Sequence, residues 1–79
     1  MNKLIRELDR EGPWCVGVIE TPCYPCAYYG GSYRQSQNGD LLPVTNTMGY
    51  RKTIAEAFVC ANVELVAVRK WRAANAVAR

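Results

Sequence analysis

Ile54-Ala55-Glu56-Ala57-Phe58-Val59-Cys60-Ala61-Asn62-Val63-Glu64-Leu65-Val66-Ala67-Val68 is the stretch on which the fold turns. It contains no glycine or proline, and neither occurs from 50 to 79, so helix is favoured across most of that span. Ile54, Phe58, Ala61, Leu65 and Val68 recur at alternating steps of four and three, which on a helix is one continuous apolar stripe. That stripe is expected to cover a sheet. Val59, Val63 and Val66 fall on the opposite side, so the helix is apolar nearly all round from 58 to 68. Either both sides are buried, by a partner or in a homodimer, or the helix stops near Asn62 and 63–68 form a fourth strand. With no breaker present and the stripe in register, the continuous helix is preferred.

Upstream of this helix the pattern is mostly that of strands. Trp14-Cys15-Val16-Gly17-Val18-Ile19-Glu20 is rich in β-formers and alternates Trp14, Val16 and Val18 with Cys15, Gly17 and Ile19. Thr21-Pro22-Cys23-Tyr24-Pro25-Cys26 carries two prolines, which cannot donate to a ladder, and reads as a rigid loop. Residues 27–35 resume a strand whose Gly30-Gly31 pair suggests a bulge or bend. Asn38-Gly39 is a hairpin signal, and 41–45 return as a third strand that Pro43 places at a sheet edge. At the N-terminus, Leu4, Ile5 and Leu8 form a short apolar stripe among charges, so 3–10 are expected to be a helix stopped by Gly12-Pro13. The expected architecture is α+β: one domain over 1–79, a three-stranded antiparallel sheet, a short N-terminal helix and a long C-terminal helix packed on the sheet.

A chain of 79 residues has room for one core only, and cores of this size often recruit a metal, a disulfide or a partner subunit. The apolar fraction of 49% against 22% charged residues argues for a folded chain. The N-terminal ten residues lack the apolar run of a secretory signal, and Glu64 with Arg69-Lys70 interrupts the only stretch approaching the roughly 20 residues that cross a bilayer. The expectation is a cytoplasmic protein with reduced thiols and no membrane association. The net charge of +3 is modest. Its basic residues gather at Arg51-Lys52 and at Arg69, Lys70, Arg72 and Arg79, a patch that suits phosphate or an acidic protein surface as readily as plain solvation.

Few groups could carry catalysis. There is no histidine to activate a serine or cysteine, the carboxylates Glu20, Asp40, Glu56 and Glu64 have no spacing that pairs them, and no phosphate-cradling glycine loop is present. A non-enzymatic protein is expected. Cys23-Tyr24-Pro25-Cys26 has the spacing that wraps one face of a zinc ion, and Cys15 and Cys60 could complete a four-thiolate site. Cys15 and Cys60 are isolated, however, and as small apolar residues they fit a core equally well, leaving Cys23 and Cys26 as loop thiols. The favoured reading has no cofactor, with zinc as the alternative. The same Cys-x-Pro-Cys resembles the redox site of thioredoxin-like proteins, but such a site opens a helix, and here Ala27-Tyr28-Tyr29-Gly30-Gly31 follows.

Recognition has better material. Tyr24, Tyr28, Tyr29 and Tyr33, with Arg34 among them, crowd into the loop and second strand, and tyrosine is over-used at interfaces. Together with Arg69, Lys70 and Arg72 they are the expected partner-binding residues. Nucleic acid is the alternative partner, through Arg51, Lys52, Arg69, Lys70 and Arg72.

Two resemblances bear on function. Gly49-Tyr50-Arg51-Lys52-Thr53-Ile54-Ala55-Glu56-Ala57 resembles the Gly-x-x-Lys-x-x-Ala entry to the last helix of double-stranded RNA-binding domains, without their adjoining lysines or histidine-bearing turn. The sheet followed by Lys52-Thr53-Ile54-Ala55-Glu56-Ala57-Phe58-Val59-Cys60-Ala61 resembles, in general build, small phage-encoded accessory proteins, among them anti-CRISPR inhibitors. The second resemblance implies a protein that blocks a host bacterial protein or ribonucleoprotein complex by occupying its surface.

Overall fold

The computed structural model describes residues 2–44 and 49–77. Five strands, β1 (Lys3–Glu11), β2 (Trp14–Glu20), β3 (Tyr28–Gln35), β4 (Leu41–Pro43) and β5 (Tyr50–Arg51), precede one helix, α1 (Ile54–Val77). All pairings are antiparallel, in the order β1-β2-β3-β4, with β5 also on β3. The α+β class, the antiparallel sheet and the long C-terminal helix therefore match expectation, and 63–68 stay within α1. Thr45 and Arg79, assigned above to the third strand and the basic patch, lie outside the described residues.

The N-terminal helix is not there: 3–10 belong to β1. Two register shifts, between Leu4 and Arg6 and between Glu7 and Asp9, insert extra residues into the strand. Each bulge changes the same-face interval from two residues to three. Leu4, Glu7 and Arg10 thus oppose Ile19, Gly17 and Cys15, while Arg6 and Asp9 oppose Val18 and Val16. Ile5 and Leu8 both pack toward the helix, and their spacing of three is what imitates a helical stripe. The bulged backbone presses so closely on β2 that a Cβ at Gly17 would collide with the Arg6 carbonyl. Tyr50 and Arg51, read above as the start of the helical span, instead pair with Tyr29 and Tyr28.

The sheet curls. Its outer strands β1 and β4 would lie roughly 14 Å apart if it were flat, at about 4.8 Å per strand. Yet the Asn2 side-chain amide donates to the Leu41 carbonyl at 2.7 Å, so the two edges meet at one end. The concave side encloses Cys15, Ile19, Tyr29, Tyr33 and Leu41, with Tyr50 against them. The convex side carries α1, where Val18 meets Ala57 and Ala61, flanked by Ile5, Leu8, Tyr28 and Phe58.

Local chemistry sets the helix in place. Thr53 caps it, its Oγ1 accepting the Glu56 N–H at 3.2 Å and donating to the Glu56 carboxylate at 3.0 Å. The backbone of α1 sits directly on Gly30, where a Cβ would overlap the Ala57 carbonyl. Ser32 donates to the Glu64 carboxylate, tying β3 to the middle of the helix. Arg72 meets Asp9 at 2.8 Å and Glu11 at 3.6 Å, tying β1 to its C-terminal half. The buried side of α1 is Ala57, Ala61 and Leu65, with Phe58 and Val68 half-covered and Ile54 exposed at the helix entrance.

Candidate functional site

The expected tyrosine surface is not a surface. Tyr29 and Tyr33 point into the concave core and are fully buried. The Tyr29 hydroxyl donates to the Ser32 carbonyl at 2.7 Å, and its ring lies 5.0 Å from that of Tyr50. The Tyr33 hydroxyl is buried beside the Cys15 thiol with no hydrogen-bond partner in good geometry among the described residues, and burial raises both the Tyr33 and the Cys15 pKa. Neither ring can reach a partner while the chain stays folded. Tyr28, from the opposite face of β3, is half-buried against the helix, and only Tyr24, in the loop after β2, stands fully in solvent. The error lay in β3's curvature: a curled sheet buries its concave face without a second layer, which no residue pattern announces.

The basic residues are divided as well. Arg69 and Arg72 both lean on Asp9, at 3.9 and 2.8 Å, and the Asp9 bond raises the Arg72 pKa. Lys70 lies on the far side of the helix, exposed and without an ion pair among the described residues. Arg34 is exposed and stacks its guanidinium 5.9 Å from the Trp14 ring centroid. No single cationic face results. The thiols are likewise apart: Cys15 is buried in the concave core, Cys60 is on the helix over the convex face, and Cys23 and Cys26 are in the loop between β2 and β3. All four are free, and no group of three or more metal-ligating side chains forms among the described residues. The four-thiolate site is therefore not assembled.

What the fold does build is a groove where the C-terminal half of α1 leaves the sheet. Trp14 opens β2, and its ring lies on the convex side in the same alternation as Val16. Trp71 comes from the helix, three residues after Val68. Between them lies a groove of about 350 Å³ floored by Val16 and Ser32 and closed at one side by Val44. Trp14 and Trp71 remain 52% and 65% exposed, and Val44 47%, so this is apolar surface left facing water. Glu11 and Arg72, paired at 3.6 Å, line the groove too, and Arg34 stacks on Trp14 beside it.

Neither tryptophan was nominated from the sequence. The available signal was Trp71 itself, a large ring between Lys70 and Arg72 in an otherwise alanine-rich, charged helix end, where nothing intrachain calls for an aromatic. Trp14 gives no such signal, since it continues the strand alternation and reads as core. Chemically the groove can hold an apolar side chain and hydrogen-bond beside it, with Ser32 already engaged by Glu64. Compared with models of known families, with curated proteins and with solved structures, the chain matches none. No helix among the described residues is long and apolar enough to cross a membrane.

Proposed function

We propose that this chain is a non-catalytic binding protein that docks on a partner protein by receiving one of its apolar side chains between Trp14 and Trp71. The observation that carries this is the pair of tryptophans left 52% and 65% exposed across one apolar groove, in a chain too small to leave such area uncovered at no cost. Tryptophan anchors flanked by arginine are the side chains that dominate protein interfaces. Arg34 at the rim favours an acidic residue beside the inserted side chain. The general resemblance of the sequence to small phage-encoded inhibitors directs the search to bacterial protein complexes, with inhibition by occupancy as the mode of action. Nucleic acid is the weaker partner, because Arg69 and Arg72 already spend their charge on Asp9 and Glu11.

The test is capture from nuclease-treated bacterial lysate on the immobilised chain, compared with its Trp14→Ala and Trp71→Ala variants. Both sites are exposed enough for the variants to fold. A specific protein retained as salt is raised, and reduced at least about tenfold by either substitution, is the expected result. Capture indifferent to both tryptophans, or capture that collapses as salt is raised, would sink the proposal.

A further inference from the structure

Opposite the buried side of α1 runs a second apolar stripe, Val59, Val63 and Val66, exposed by 63%, 67% and 55%. Nothing among the described residues covers it. β-branched residues lose side-chain freedom in a helix, and on a solvated face alanine or a long polar residue serves better. The steps of four and three continue to Lys70 and Ala73 and back to Glu56, which is the period of a helix–helix seam. The sheet covers Ala57, Ala61 and Leu65 on the other side, so this stripe is free to meet another molecule.

We infer that the stripe is the seam of an antiparallel homodimer whose two-fold axis passes by Val63. The charges choose the occupant and its direction. Glu56 and Lys70 stand seven residues before and after Val63 on this same face. They are separated by about 21 Å at 1.5 Å per residue. With a second copy running antiparallel, each Glu56 lies opposite the other copy's Lys70 while the valines meet between them. A parallel pair would place carboxylate against carboxylate and ammonium against ammonium. Lys70 has no ion pair among the described residues, and Thr53 holds the Glu56 carboxylate at the helix entry. A single charged residue inside a seam fixes register at some loss of affinity. Opposed helix dipoles favour the same direction. The groove lies toward the sheet, so the dimer leaves both grooves open.

Sedimentation equilibrium of the full chain decides it. The wild type should show twice the chain mass in the micromolar range. Val63→Glu would set two carboxylates face to face on the axis and should weaken association at least about hundredfold. Its helix content by circular dichroism should hold, since the site is open in the single chain. Lys70→Glu should weaken association about tenfold through like charge at both ends. Trp71→Ala should leave the mass unchanged. A single-chain mass at every concentration, a Val63→Glu dimer of wild-type affinity, or a dimer lost with Trp71→Ala would each overturn the inference.

Discussion

At the scale of the residue, Tyr33 is the clearest departure from its apparent role. A tyrosine in a cluster of four looks like an interface residue, yet it is fully buried with its hydroxyl unsatisfied among the described residues. Replacing both the hydroxyl and its lost hydration is nearly free when the ring is kept, because an unpaired buried donor opposes folding. Tyr33→Phe is therefore expected to raise unfolding free energy by about 1 kcal/mol, measured by urea titration. The same burial sets the alkaline limit of the fold. Cys15 and Tyr33 have folded-state pKa values raised above their ordinary 9.0 and 10.0, so the unfolded chain loses its protons first. Stability is whole below pH 9 and falls as pH climbs through the range where only the unfolded groups ionise. In Tyr33→Phe the share of that fall that belongs to this hydroxyl should be absent, leaving the shares of Cys15 and of Tyr50, whose pKa burial raises as well. The tyrosines could be found in the sequence; their direction could not, since alternation separates two faces without saying which is wrapped.

At the scale of the element, the helix and the strands differed in how far they could be read. Absence of breakers and a sustained stripe were enough for α1, whose entrance the structure places at the Thr53 cap. The inner stripe keeps Ala61 and Leu65 as expected and differs at its N-terminal end, where Ala57 is buried in place of Phe58 and Ile54, because the sheet presents Gly30 there and only a small residue can approach it. Large apolar residues were taken for the contact, whereas close backbone approach selects alanine and glycine. Gly30→Ala should therefore push the helix off its seat and cost about 2–3 kcal/mol, seen as a lower urea midpoint. An unchanged midpoint would mean that α1 is not seated as described. β1 failed for the opposite reason: two bulges gave Ile5 and Leu8 a helix-like spacing, and no turn residue marks a bulge of this kind. The short β5 was hidden because two residues carry no period at all.

Across the whole molecule, the class and the covering helix were legible, whereas the curl and the groove were not. Both depend on the approach of segments distant in sequence, Asn2 to Leu41 and Trp14 to Trp71 across the groove, and neither pair has a local signature. The Asn2 clasp is testable. Asn2→Ala should cost about 1 kcal/mol and quicken amide exchange in β4, whose three residues have β3 on one side and the clasp on the other. Exchange in β4 as slow as in the wild type would show that the edges meet without it.

Trp14 and Trp71 are also the chain's two indoles. All the light the folded protein emits under excitation near the red edge of its absorption thus originates at the walls of one groove. Any molecule that enters displaces water from both rings, and the emission colour and intensity report occupancy of that place alone, with no label attached. The curled core, built from tyrosine, stays dark to the same measurement.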